Sequence, residues 1–453
     1  MDSNRLTEGV IWKKLLRFFF PLVLGSFLQQ LYSMADAVIV GQFAGKEALA
    51  AVDATSPLIR LFINMFLGIS VGATIIISQY YGGERYAKVH KAVHTGMAFA
   101  LLGGAVVMVA GIFLAEPCLR LMKVPEELLP MTVSYTRIYF AGMIPSLVYN
   151  IGAGILRAVG DSRRPFLFLL VSCLVNIGLD YLFVGGFGWG VSGAALATII
   201  SQLISAALAV ITLMRSQQSF QLFIRKIGID KTMFKRILRT GLPIALQSMM
   251  YPLANILVQS SVNQFGTDSI AGWAVVGKMD VIIWTMLEAF GSAISTFAAQ
   301  NCGAGRMDRV LKATRIWLVI ALGVIGGISV CLYIFARPFG SLFINDAAVI
   351  ELSTHMMRNI YAPFYIFFVF IDVLAGVIRG TGETFRPMLI TLLGICVLRV
   401  LWILVVVPLN HTLDTVLVSF PVTWIVTGSA YIIYFLYYRY KHMLPALRKE
   451  TSR

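Results

Sequence analysis

The chain has 453 residues, of which 58% are hydrophobic and only 13% charged, where a soluble domain carries about 25% charged residues. With a mean hydropathy of +0.81, this composition excludes a string of soluble domains and points to a polytopic membrane protein. The net charge of +15 lies between apolar stretches rather than in one patch, so the bilayer and not a nucleic acid is the implied partner.

Apolar stretches of about 20 residues, the length that crosses a hydrocarbon core, recur along the whole chain. In chain order, helices are predicted at 18–40, 58–81, 93–115, 135–156, 165–184, 192–214, 240–263, 278–300, 315–336, 358–378, 388–408 and 415–438. Nothing alternates with period two, so the fold class is all-α and not a β-barrel. Ahead of the first span, residues 1–17 place Leu6, Val10, Ile11, Trp12, Leu15 and Leu16 among basic residues. This reads as an amphipathic segment on the membrane surface, or equally as a cap on the first span. The first apolar run has no small-x-small cleavage site and is read as a span, not a removable signal. A basic linker occupies 215–239 and a tail 439–453. Alternate loops differ about fourfold in Lys and Arg, which places both termini in the cytoplasm.

The chain also repeats itself. Arg157-Ala158-Val159-Gly160-Asp161 returns as Arg379-Gly380-Thr381-Gly382-Glu383, offset by 222. The same offset carries Pro21 onto Pro243 and Gln42-Phe43 onto Gln264-Phe265, and an offset of 221 carries Gln79 onto Gln300. Twelve transmembrane helices in two six-helix lobes, 18–214 and 240–438, follow. An even number of spans per half gives both halves one orientation, so the internal repeat is parallel and not inverted. Duplicated halves in a membrane protein point to a transporter with its sites in or between the lobes.

Ionisable residues inside apolar spans are costly, and each is a functional candidate. This chain has Asp36, Asp180, Glu288, Asp372 and Arg399. Asn176 lies four residues before Asp180, on the same helix face. An amide oxygen and carboxylates, with the Thr198 hydroxyl, suit a proton or a hard cation such as Na⁺. Burial penalises charge on such a cluster, so it can take up and release a proton near neutral pH. The alternative is a pair of solvated acids near a membrane edge. The second half does not copy the first acid, because position 36 maps to Val258. There Glu288 and Asp372 are candidates for a cationic substrate, or else a buried pair with Arg399. Arg399 by itself reads as a counter-ion or a snorkelling residue. Met34 and Tyr251 are candidates for a tolerant cavity lining. Gly68 and Gly72 carry a weak close-packing signal. Pro21 interrupts the first helix and is a candidate hinge.

Other chemistry finds no support. The five cysteines, Cys118, Cys173, Cys302, Cys331 and Cys396, are odd in number and lack CxxC spacing; they read as buried apolar residues. Gly41-Gln42-Phe43-Ala44-Gly45-Lys46-Glu47 is one residue short of a phosphate-binding loop and lacks its Ser or Thr. No ATPase domain, no HExxH and no clustered catalytic set is present, so the chain is read as no enzyme, needing no cofactor beyond H⁺ or Na⁺.

Taken together, these residues resemble the multidrug and toxic compound extrusion (MATE) family of antiporters, over about residues 10–440. Pro21 and Asp36 in the first span, Gln79 with Gly82-Gly83 after the second, and the two Arg-x-x-Gly-acid loops carry the resemblance. It implies a V-shaped pair of six-helix bundles that alternates between inward and outward openings in the cytoplasmic membrane, acting as a monomer. It also implies efflux of small organic cations or amphipathic drugs in exchange for H⁺ or Na⁺, with the ion at Asp36, Asn176, Asp180 and Thr198. Where the NorM-like branch has a Glu in the seventh span this chain has Tyr251, and it is more similar to the MepA-like group. The alternatives are a flippase for lipid-linked precursors, which should show several cations in its cavity, and an exporter of an endogenous metabolite.

Overall fold

The computed structural model describes residues 5–451, and every regular element among them is helical. The first two long helices are α1 (Ile11–Ile39) and α2 (Gly45–Gly82), joined by a wide turn at Val40–Ala44. Together they form a run of 72 residues, which at 1.5 Å per residue is about 108 Å. That is more than three times a hydrocarbon core of about 30 Å, so the run holds two spans. Gly45 divides them with φ of 88°, a left-handed conformation that a side chain would strain.

Next come α3 (Tyr86–Leu121), α4 (Leu129–Ala141) and α5 (Met143–Ala158). The last two are bent by 46° at Gly142 and serve as one broken span. The first half closes with α6 (Arg163–Asp180) and α7 (Gly190–Arg215). The second half runs through α8 (Lys231–Val262), α9 (Thr267–Met279), α10 (Val281–Gly303), α11 (Met307–Ser341), α12 (Ala347–His355) and α13 (Tyr365–Gly380). It ends with α14 (Phe385–Thr391), α15 (Leu398–Leu401), α16 (Leu413–Leu417), α17 (Ser419–Tyr438) and α18 (Leu444–Thr451). Among the described residues, ten helical runs are long and apolar enough to span, and the bent pair makes eleven. With the 72-residue run counted as two, the total is the twelve predicted from hydropathy.

The chain forms two compact units. One comprises Arg5 and Phe20–Ala245; the other comprises Leu6–Phe19 and the residues from Leu246 onward. Thus α1 gives its first turns to the second unit, and α8 gives its first turns to the first. The duplication is visible in bonds as well as residues. Thr132 Oγ1 donates to Leu128 O at 2.7 Å, and 222 positions later Thr354 Oγ1 donates to Ile350 O at 2.7 Å. Ser201 Oγ donates to Thr198 O, and Thr423 Oγ1 to Phe420 O, both at 2.8 Å.

In a membrane the hydrophobic effect does not press helices together, so close packing must. In the first unit, Gly68 and Gly72 of α2 meet Ala245 and Gly241 of α8 backbone to backbone. In the second unit, Gly376 and Gly380 of α13 meet the backbone of Gly291 and Ser295 on α10. The second unit also buries Phe19 against Phe290 and Trp317, whose indole N–H donates to Phe290 O at 3.0 Å.

The segment ahead of α1 is held by side chains of the second unit. Leu6 is 2% exposed; its N–H donates to Gln300 Oε1 at 3.0 Å, and its carbonyl accepts from Asn301 Nδ2 at 3.3 Å. Arg306 Nη1 donates to Thr7 O at 2.7 Å and Arg309 Nη2 to Gly9 O at 3.0 Å. Asn301 is fully buried and also accepts from Arg309 Nε. Asn301→Ala leaves these groups short of a partner and is expected to cost about 1–3 kcal/mol. It should appear as a lower melting temperature of the purified protein; unchanged melting would show that the segment is not anchored there.

Candidate functional site

Three helices of the first unit converge on the acidic residues singled out from the sequence. Asp36 comes from α1, Asn176 and Asp180 from α6 and Thr198 from α7. Spacing of four on α6 stacks Asn176 above Asp180 on one face, as expected. Both are fully buried. Asp36 and Asp180 are electrostatic neighbours, and Asn176 is the further neighbour of Asp180.

The polar atoms of this cluster are short of partners. Among the described residues, neither carboxyl oxygen of Asp180, neither side-chain polar atom of Asn176, nor Oδ1 of Asp36 meets a hydrogen-bond partner. A buried polar group without a partner costs about 1–3 kcal/mol, and a charged one more. Five such atoms gathered in one place fit a proton or small cation as occupant. The donor set is all oxygen apart from the amide nitrogen, which suits a hard ion.

Thr198 belongs to the same place but is already engaged. Its Oγ1 lies 3.0 Å from Tyr32 Oη and donates to Ala194 O at 3.0 Å. Tyr32, Tyr135 and Tyr139 are electrostatic neighbours of Asp36. These three tyrosines do not stand out in the sequence as charged residues do. A signal for one was available, because Tyr32 stands four residues before Asp36 on the same face of α1. Tyr135 and Tyr139 come from α4, a hundred positions away, and carry no charge to draw attention.

Met34 is 66% exposed and, two residues from Asp36, points from a different face of α1. Pro21 lies inside α1, just after the residue at which α1 passes from the second unit to the first. The second unit gathers the other candidates: Asp372 has Glu288 and Tyr251 as electrostatic neighbours, together with Arg379. Asp372 lies over Gly291 of α10, so its helix approaches closely at that point.

Two expectations are corrected. Glu288 and Asp372 were weighed as a buried pair with Arg399, but the cation beside Asp372 is Arg379. Arg399 was expected to be a counter-ion or to snorkel. It is buried instead, bonded to Asn255 and Thr423 with no ion pair among the described residues. It lies inside the helical run Phe385–Val406, where the Asn255 and Thr423 side chains reach it from α8 and α17. Asp280 was missed because it sits at the start of a predicted span. It is buried and its Oδ2 accepts from Trp284 Nε1 at 2.8 Å and Tyr365 Oη at 3.2 Å.

Comparison with known proteins adds a family match. A family profile described as MatE matches residues 21–182 and again 243–405, the two starts lying 222 apart. The probable multidrug resistance protein YoeA of Bacillus subtilis is 30% identical over 402 residues, covering 87% of this chain and 86% of that protein. The FAD transporter of Shewanella oneidensis is 25% identical over 464 residues, covering 99% of each. A solved outward-facing multidrug resistance MATE family transporter of the MOP superfamily aligns with a TM-score of 0.90 at 22% identity, covering 99% of each chain.

Proposed function

The chain belongs to the MatE family of membrane transporters, and on that premise we propose that it is a secondary active multidrug exporter with a one-sided ion site. It exchanges cationic or amphipathic organic compounds for H⁺ or Na⁺. The observation that carries this is the set of partnerless buried oxygens on Asp36, Asn176 and Asp180. An ion held there neutralises a cluster that is otherwise costly to bury. Release of the ion to one side and uptake of substrate from the other are linked through conformation, each ligand favouring a different state.

Thr198 and Tyr32 position the rim of the ion site through their shared hydrogen bond. Tyr251, Glu288, Asp372 and Met34 are the proposed substrate contacts, and Pro21 the proposed hinge. The charge bias of the loops supports cytoplasmic termini in the cell membrane. Six spans per half carry the symmetric framework, while the absence of an acid at Val258 confines coupling to the first unit.

The test is ethidium efflux from loaded proteoliposomes with a pH gradient and a Na⁺ gradient imposed separately. Efflux that follows one gradient and ignores the other names the ion. Efflux that follows neither, from folded protein, defeats the antiporter reading. A second reading, export of an endogenous metabolite, is favoured by the relative named a FAD transporter. Under it, FAD supplied inside the vesicles should leave in a gradient-dependent way and ethidium should not.

A further inference from the structure

The second unit carries a polar site on the helices that correspond to those of the acidic cluster, and its charge is positive. Subtracting 222 takes Asn255 to Ser33, Arg399 to Ile177, Phe420 to Thr198 and Thr423 to Ser201. These residues come from α8, α15 and α17, the counterparts of α1, α6 and α7 that supply Asp36, Asn176, Asp180 and Thr198. The structure keeps the same register: the Thr423–Phe420 bond repeats the Ser201–Thr198 bond. The wide turn at Trp402–Val406 follows Arg399 as that at Tyr181–Gly186 follows Asp180. The carboxylates themselves map onto Val258 and Trp402, so Arg399 stands on the corresponding helix, one residue after the counterpart of Asn176, and not in the place of an acid.

Arg399 is 3% exposed. Its Nη1 donates to Asn255 Oδ1 at 3.0 Å, its Nη2 donates to Thr423 Oγ1 at 3.1 Å, and its Cζ stands 4.0 Å from the centre of the Phe420 ring. Its Nε–H is buried with no acceptor among the described residues. The buried acid Asp280, which shares Tyr361 with Arg399 as an electrostatic neighbour, is engaged by Trp284 and Tyr365. A buried cation with no counter-ion is costly, and neutral partners satisfy only part of a five-donor fork. That fork matches the two oxygens of a carboxylate or phosphate. The Tyr361, Phe420 and Trp424 rings pack together at this place, with centroids 5.4–6.0 Å apart, so an aryl group would find apolar company.

We propose that Arg399, held by Asn255 and Thr423, is a binding site in the second unit for the carboxylate or phosphate group of an aromatic organic anion or zwitterion. The site is independent of the ion cluster and extends the transported class beyond cations.

The probes are 1-naphthoate and 1-naphthyl phosphate, with uncharged methyl 1-naphthoate as control, bound to the full-length protein in nanodiscs. Wild type should bind at least one anion tenfold or more tightly than the ester, and the two anions distinguish carboxylate from phosphate preference. Arg399→Met should abolish that preference. Should that variant fail to fold, Asn255→Asp decides the matter. It places a permanent carboxylate where the amide oxygen now meets Nη1, so melting temperature should rise and anion affinity should fall tenfold or more. A purely structural Arg399 would give the rise in melting alone. Anions bound no better than the ester in wild type, or anion affinity unchanged in Asn255→Asp, overturns the site. Ethidium efflux, measured alongside, bears on the ion-coupled export and not on this site.

Discussion

Asp36→Asn should reduce gradient-driven ethidium efflux to background, a loss of about a hundredfold or more, equivalent to about 2.7 kcal/mol. The asparagine keeps the volume and one oxygen but can neither hold nor release a proton, and it weakens any bound cation by one full charge. Asp180 would remain as a lone carboxylate, with Asn176 its only polar neighbour on α6. Folding should survive, because the substitution removes a buried charge rather than stranding one. Melting temperature equal to or above wild type, together with lost efflux, is therefore the expected pair of results. Efflux above half the wild-type rate in cells and vesicles would defeat the proposed ion site. Asp180→Asn should behave alike, whereas Thr198→Val should be milder, since its hydroxyl is already bonded to Tyr32 and Ala194.

Gly72→Val should prevent the protein from accumulating in the membrane, and Gly72→Ala should lower its melting temperature. A Cβ at Gly72 would lie 2.5 Å from the Cα of Gly241, and one at Gly68 2.4 Å from the Cα of Ala245. In each case the obstacle is backbone, which cannot swing away as a side chain can. Overpacking of this kind costs about 1–3 kcal/mol per added methyl group. The two glycines are one turn apart on the same crossing, so Gly68→Ala with Gly72→Ala should not be additive: once α2 and α8 have moved apart, the second methyl meets less resistance. Gly326→Ala is the control. It lies in α11 with open space around the added carbon, and the gain in helix propensity there is up to about 1 kcal/mol. Opposite signs at Gly72 and Gly326 would establish that the contact, not the residue type, sets the effect. Equal melting of Gly72→Ala and wild type would mean that the α2–α8 crossing is looser than it appears.

The weak packing signal at Gly68 and Gly72 illustrates how far sequence could be read. The spacing was visible, but what the glycines touch was not, because Gly241 and Ala245 lie some 170 positions away. The same holds around the ion cluster. Asp36, Asn176 and Asp180 were legible because charge and amide groups are rare in apolar spans and each stands out locally. Tyr32, Tyr135 and Tyr139 were not, because a tyrosine in a membrane helix is common and only its neighbours give it a role. Arg399 was visible as a charge and misjudged as to partner, since pairing depends on which of several helices face it.

The sequence by itself determined the twelve crossings, the duplication at an offset of 222 and the acids of the first half. Hydropathy over a 20-residue window and the cost of charge in hydrocarbon are local properties, and a repeat is a property of the string. Only the tertiary structure decided which polar atoms are left without partners, that Leu6–Phe19 belongs to the second unit, and that Arg399 meets Asn255 and Thr423 instead of a carboxylate. Those facts rest on contacts between residues 24 to some 300 positions apart, where packing alone chooses the partner.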